Sequence, residues 1–255
     1  MKKLLLLFFI AFNAGADDAD RRAPFITTPG SVVERMLELA GTQRSDVVMD
    51  LGSGDGRIVI AAARRFGARG IGIELDRGLV EESRRNAQRA QVADRVSFVQ
   101  GDVLSADLSP ASVVTVYLLP GLIAKLQPRF IYELRPGTRI VAHAFGMAGW
   151  SPDHIETLRI TEPHPGQGPE SKLYLWVVPA EVRGVWRGGG ETLRIEQNYQ
   201  QIEIEGAKRA SLSGRDIAWE SAAGKFSGRV DGERMSGELV APDGRKQALV
   251  LLRTR

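Results

Sequence analysis

The run Asp50-Leu51-Gly52-Ser53-Gly54-Asp55-Gly56 constrains this chain more than any other segment, because it joins an apolar stretch, Val47-Val48-Met49, to a helical pattern starting near Arg57. A strand-turn-helix junction of this kind lets backbone lie against a ligand. Glycine removes side chains and tolerates positive φ, and the helix that follows is expected to aim free N–H groups into the same space. Ile71-Gly72-Ile73-Glu74 reads as the next buried parallel strand, with a carboxylate at its C-terminal tip. Glu74 follows Asp50 by 24 residues, close to the ~20 residues between glycine turn and ribose-binding acid in nucleotide folds. The expected ligand therefore carries a ribose.

Around this junction the periodicity alternates. Val32, Val33, Met36, Leu37 and Leu39 give a lead-in helix over Ser31–Ala40 that stops at Gly41. Strands are then expected at Asp46–Asp50, Gly70–Glu74, Val96–Gln100, Val113–Leu119 and Thr138–Phe145, and helices at Gly56–Phe66, Arg77–Gln91 and Leu122–Leu134. Such alternation predicts an α/β, Rossmann-like, doubly wound and mostly parallel sheet, with its ligand at the carboxyl ends of the strands. A last strand is expected at Lys172–Val178, after the breaker cluster Pro163–Pro169.

Which nucleotide binds is decided by what is missing. Counted from Gly52, the sixth position of a G-x-G-x-x-G fingerprint is Arg57, and no G-K-[ST] occurs, so neither phosphate motif fits. Asp50 beside the turn would repel a pyrophosphate and favour a cation. S-adenosylmethionine brings an ammonium, a sulfonium and a ribose without phosphate, and is the expected cofactor. Val96-Ser97-Phe98-Val99-Gln100-Gly101-Asp102 adds a third strand ending in an acid, and Asp102 is placed to accept from the adenine amino group. The competing reading of any single acid after a strand is a helix N-cap, which suits Asp76.

With these residues in hand the chain resembles the class I, seven-strand S-adenosylmethionine methyltransferases. Asp50–Gly56 with Arg57-Ile58-Val59-Ile60, the Glu74 strand, Asp102, His143-Ala144-Phe145 and Trp150-Ser151-Pro152-Asp153-His154 carry the likeness. More narrowly it is similar to the small protein-lysine methyltransferases of archaea and mitochondria, whose lead-in is matched by Pro24-Phe25-Ile26-Thr27-Thr28-Pro29. Phe25 stands where that group has tyrosine, and Ala144 where relatives often carry a charge. The resemblance implies an antiparallel last strand, Asp50, Gly52, Ser53, Gly54, Gly56, Glu74, Asp102 and Thr27 around the cofactor, and a protein lysine as acceptor. It also implies that the fourth strand end meets the acceptor, which makes Tyr117 the leading candidate for shaping the transfer slot; its competing role is core packing. His143 and Trp150 are expected on the acceptor side, and Phe25 and Thr27 over the cofactor.

At 43% hydrophobic and 25% charged the sequence has the composition of an ordinary globular protein, and its 255 residues suffice for one α/β unit plus something smaller. Lys2-Lys3, apolar Leu4 to Phe12 and Ala14-Gly15-Ala16 read as a signal peptide over residues 1–16. The expectation is a periplasmic or secreted protein, with a cytoplasmic or inner-membrane-anchored enzyme as the alternative. Cleavage would lower the formal charge from +3 to +1, so the basic pI does not argue for nucleic acid, and no stable membrane span is expected. Cysteine is absent, which excludes disulfides and thiolate metal sites, and His143, His154 and His164 suit no single-helix metal site. No metal is expected.

The expected transferase unit covers 17–179. Over 180–255, alternation in Leu193-Arg194-Ile195 and Ile202-Glu203-Ile204, with Asp231-Gly232 and Asp243-Gly244 turns, predicts a small antiparallel β domain of about six strands. Leu212-Ser213-Gly214, Phe226-Ser227-Gly228 and Met235-Ser236-Gly237 read as bulges entering successive hairpin strands, and Trp186 and Trp219 as core. Two other functions stay open from the residues alone: a small-molecule or nucleic-acid methyltransferase, and an exported, catalytically silent Rossmann-like module that binds a partner through its β domain.

Overall fold

The computed structural model describes residues 26–160 and 168–254. The expected leader, Phe25 and most of the Pro163–Pro169 cluster lie outside the described residues. Helix α1 (Gly30–Leu39) buries Val32, Val33, Met36 and Leu37 along one stripe, the spacing that drives an amphipathic helix onto a sheet. Strand β1 (Val47–Leu51), α2 (Arg57–Phe66), β2 (Arg69–Glu74), α3 (Arg77–Arg89), β3 (Val96–Gln100), β4 (Val113–Val116), α4 (Pro120–Glu133) and β5 (Arg139–His143) follow, and then β6 (His154–Arg159) and β7 (Glu170–Val177).

These strands form one seven-stranded sheet in the order β3-β2-β1-β4-β5-β7-β6. β1 to β5 pair in parallel, and β7 runs antiparallel to both β5 and β6. Two apolar layers flank the sheet. One packs α1, α2 and α3 against Val48, Val113 and Val141; the other packs α4, Leu108, Trp150 and Trp176 against Met49, Val114 and Ile140. Alternation along each strand sends successive side chains to opposite layers. The sheet reverses its order between β1 and β4, which opens the crevice where ligands bind in doubly wound folds.

Beyond shifts of a residue or two at element ends, two strand ends and one whole strand differ from those expected of the sequence. β4 leaves the ladder after Val116, freeing Tyr117-Leu118-Leu119 from strand pairing before Pro120 opens α4. β5 ends at His143 because Ala144 takes φ +67, a conformation a strand cannot continue through. β6 has no counterpart in the sequence pattern: it is an edge strand with Ile155 half exposed, so it lacks an apolar face.

The C-terminal segment holds eight strands rather than about six: β8 (Gly184–Gly188), β9 (Glu191–Asn198), β10 (Gln201–Ile204), β11 (Ala207–Ser213), β12 (Asp216–Ser221), β13 (Gly224–Asp231), β14 (Arg234–Val240) and β15 (Lys246–Thr254). They form a meander in which β15 returns to pair with β8. Its interior is filled by Trp186, Ile195, Trp219, Phe226, Val230, Met235 and Leu251, so both tryptophans are core. The Ser-Gly repeats are not bulges. Gly228 faces Gly237 in an unshifted β13–β14 register, and a Cβ at either would meet the Phe226 ring within 2.7 Å. These glycines are seats for an aromatic ring, and Gly214 is a turn residue with φ +56.

Candidate functional site

A cavity of about 710 Å³ opens where β1, β2, β3 and β4 end, lined among others by Thr27, Asp50, Gly52, Ser53, Gly54, Glu74, Asp102 and Tyr117. That size lies within the roughly 300–1,000 Å³ usual for small-ligand sites. Three carboxylates far apart in sequence thus share one chamber, because parallel strands all present their C-terminal ends at the same sheet edge.

Asp50 is the most constrained of them. It is 3% exposed, and the hydroxyl of Thr115, on the neighbouring strand β4, donates to its Oδ1 at 2.7 Å. Burial pushes its carboxyl from the ordinary 3.8 up to about 7; the Thr115 hydrogen bond opposes this, and the negative charges of Glu74 and Asp55 add to it. Without a cation beside it, an ionised Asp50 is an uncompensated buried charge, which is why its proton is held up to about neutral pH.

The glycine turn does not work as its sequence suggests. Most of its N–H groups are already engaged: Gly52 and Ser53 donate to the Ile73 carbonyl at 2.9 Å, Gly56 to the Ser53 carbonyl at 2.9 Å, Gly54 to Glu74 Oε2 at 2.8 Å, and Arg57, which follows it, to Asp55 Oδ1 at 3.3 Å. The turn is therefore not an anion cradle of the phosphate-binding kind, in line with a ligand that carries no phosphate. Gly52, at φ +81, lies under Leu118, whose Cδ2 would be 2.8 Å from an added Cβ.

Gly56, expected against the cofactor, does not line the cavity. It is the left-handed residue before α2 (φ +80), and a Cβ there would meet the Phe98 ring at 2.7 Å and Ser83 Cβ at 3.0 Å. Its role is to let the turn pack against β3 and α3.

Glu74 bridges the turn and the next helix, accepting from Gly54 N with one oxygen and from Asp76 N with the other at 3.0 Å. Asp76 caps α3 through Leu79 N, as an N-cap acid should. Asp102 closes its own loop by accepting from Leu104 N at 2.9 Å. In both Glu74 and Asp102 lone pairs remain for ligand hydroxyl or amino donors. Ser53 lines the cavity, but its Oγ is buried against Gly72 of β2 and has no hydrogen-bond partner among the described residues.

The lead-in is latched over the chamber by a pair that the sequence does not advertise. Arg57 grips both oxygens of Asp55, at 2.8 and 2.5 Å, and donates from Nη1 to the Thr28 carbonyl at 2.8 Å. This holds Ile26, Thr27 and Thr28 as one wall. A bidentate guanidinium fixes orientation as well as charge.

Beyond the end of β4 Tyr117 lines the cavity and packs against His143, with ring centroids 4.1 Å apart. Burial raises the Tyr117 hydroxyl above its ordinary value. His143 is fully buried, pairs through Nε2 with Ser171 Oγ at 2.7 Å, and burial lowers its imidazole to about 4, so the ring is neutral near pH 7. His143 backs Tyr117 and does not line the cavity. Trp150 does not line it either: it is 1% exposed, in the second apolar layer.

The donor set fits S-adenosylmethionine. A buried carboxylate awaits a cation, two strand-end carboxylates can accept from sugar hydroxyls or an amine, and Ile26, Leu75, Leu79 and Val103 supply apolar walls. A cation that lowers the Asp50 pKa must displace its proton, so affinity for S-adenosylmethionine falls below pH 7. Calorimetric titration at pH 5.5 and 7.5 is expected to show a roughly tenfold or larger weakening at the lower pH, and equal affinities would contradict it.

Comparison with known proteins agrees with this geometry. The family model described as "ANTKMT methyltransferase domain" matches residues 50–154. A protein-lysine N-methyltransferase of Saccharolobus islandicus is 41% identical over 133 residues, 52% of this chain and 83% of that protein. The adenine nucleotide translocase lysine N-methyltransferase of Mus musculus is 33% identical over 131 residues, 51% of this chain and 57% of that relative. Among solved structures, an RNA methyltransferase from Salinibacter ruber in complex with S-adenosyl-L-homocysteine has a TM-score of 0.56 and 50% identity, covering 62% of this chain and 96% of that one. The chain belongs to the class I S-adenosylmethionine-dependent methyltransferases, in the group that includes these lysine methyltransferases.

Proposed function

We propose that the protein methylates lysine side chains of a protein acceptor. The observation that carries this reading is the charge of the chamber. Among the described residues its lining holds the carboxylates of Asp50, Asp55, Glu74, Asp76 and Asp102 against one guanidinium, Arg57, already paired with Asp55. A lysine ammonium approaching this edge is attracted, whereas a phosphodiester backbone needs cations at the mouth to bind. The names of the Saccharolobus and murine relatives support the same acceptor.

Asp50, Gly52, Ser53, Gly54, Glu74, Asp102 and Thr27 are proposed to hold the cofactor, which when bound supplies an electrophilic methyl on a sulfonium. A lysine must lose its proton before attack, and with an ordinary pKa of ~10.4 this costs roughly 4 to 5 kcal/mol at pH 7. The acceptor end offers what favours the neutral amine: Tyr117, Leu118 and Leu122 make a desolvating wall. Neutral His143 behind Tyr117 adds no positive charge to repel the incoming ammonium. Tyr117 shapes the slot so that amine, carbon and sulfur can line up.

Methyl-labelled S-adenosylmethionine, incubated with the full chain and a cell lysate, is expected to label material that protease destroys and nuclease spares, and that yields methyl-lysine on acid hydrolysis. The naming of the Salinibacter relative as an RNA methyltransferase supports a nucleic-acid acceptor as the second reading. Label that resists protease and disappears with nuclease would establish that reading and defeat the first.

A further inference from the structure

Residues 144–153 run as loop from His143 to β6, and among the described residues α4 is the only helix in the second apolar layer. Trp150 fills the space beyond it, and the C-terminal meander covers Trp150. Tyr199, at the tip of the β9–β10 hairpin, stacks on the indole at a centroid distance of 5.0 Å with the rings 5° from parallel.

Gln200 holds the same site from both sides: Trp150 Nε1 donates to its Oε1 at 2.8 Å, and its Nε2 donates to the Ser151 carbonyl at 2.5 Å. Gln127 of α4 donates to the Tyr199 hydroxyl at 3.1 Å and to the Ala148 carbonyl at 2.9 Å. Aromatic contacts continue inward from Trp150 to Trp176, whose rings are tilted by 55°, and on to Tyr174, which stacks on Trp176 and packs against Gly146.

The backbone of this tip says what it is for. Tyr199 has φ +55 in a two-residue turn between Asn198 and Gln201, where glycine or asparagine is the ordinary choice and a bulky side chain is an outlier. A residue poorly suited to the turn occupies it, and its ring and hydroxyl are both engaged by the transferase unit. Hairpin formation alone does not explain that choice.

We propose that Tyr199 and Gln200 are positioning residues that clamp the two segments flanking the acceptor end of the site, α4 and the 144–153 loop. α4 carries Leu122 into the cavity wall and follows directly on Tyr117 and Leu118, and the loop starts at His143, which backs Tyr117. The cofactor-facing residues Asp50, Gly52, Ser53, Gly54, Glu74 and Asp102 lie on the ends of β1, β2 and β3, away from the clamp. The inference rests on methyl transfer at this site and not on which polymer accepts it.

The test uses the full chain with Tyr199→Gly, which suits the turn but removes ring and hydroxyl. Hydrogen exchange is expected to speed up about tenfold or more in residues 121–133 and 144–153 while β1 to β3 stay protected. The Kd for S-adenosylhomocysteine should stay within about twofold, and kcat, measured on whichever acceptor the labelling experiment identifies, should fall at least about fivefold. Tyr199→Phe keeps the stack, loses only the Gln127 bond, and should show the same pattern more weakly. Should the glycine variant not fold, the double variant Tyr199→Phe, Gln200→Ala carries the same expectations. Unchanged exchange in 144–153, or faster exchange spread through β1 to β3 with loss of cofactor binding, would overturn the clamp. The exchange and cofactor readouts need no acceptor, so they stand even if lysine proves the wrong one.

Discussion

Asp50→Asn is expected to weaken S-adenosylmethionine binding by roughly 30- to 1,000-fold, the 2 to 4 kcal/mol that accompanies loss of one partner of a buried charge pair. Asparagine keeps the shape and can still accept from Thr115, so the change removes charge and little else. The same substitution should leave the ligand-free protein at least as stable as the parent at pH 8. The sign follows from the raised pKa. An unfolded chain ionises Asp50 near its ordinary 3.8, whereas the folded chain resists until about 7. Asp50 therefore costs stability as pH rises from about 4 to 7, and the cost is constant above that. Weaker binding joined to equal or higher Tm marks a group kept for its ligand at the expense of the fold. Parent-like affinity in the variant would remove Asp50 from the site.

Gly56→Ala is expected to destabilise the protein by roughly 2 to 4 kcal/mol. A left-handed backbone costs an L residue about 1 to 2 kcal/mol, and forcing a methyl against a packed ring costs a similar amount again. Phe98 and Ser83 are both buried, so neither can move aside freely. In a chain of this size the loss appears as a fall in Tm of roughly 4–16 °C. The folded fraction should bind S-adenosylhomocysteine within about threefold of the parent, because Gly56 does not face the chamber. A variant with unchanged Tm and abolished binding would return Gly56 to the cofactor's wall.

The chamber is legible in the sequence because its acids sit at strand ends. In a parallel sheet every strand end reaches the same edge, so Asp50, Glu74 and Asp102 can be brought together without knowing any side-chain conformation. Thr115 cannot. A threonine in the middle of an apolar strand looks like β-propensity, and only the pairing of β1 with β4 places its hydroxyl on Asp50. The Asp55–Arg57 latch is hidden for a similar reason, since a two-residue separation marks no helical face.

Trp150 is drawn toward the acceptor side by its sequence neighbours, yet its covering partner, Tyr199, lies 49 residues onward in a segment whose strand register the sequence does not reveal. Six strands are expected in place of eight because small residues such as Ala207, Ala210 and Ala218 blur the alternation on which a strand is recognised. Spacing alone groups Gly56 with Gly52 and Gly54; which glycine faces a ligand and which faces a phenylalanine is decided by the packing of β3.

The most direct test is calorimetric titration of the full chain with S-adenosylmethionine and S-adenosylhomocysteine at pH 8. Saturable binding of one molecule of each per chain is predicted, competitive between the two. Absence of saturable heat for both up to about 1 mM, the weak end of specific binding, would contradict a chamber built to hold this cofactor.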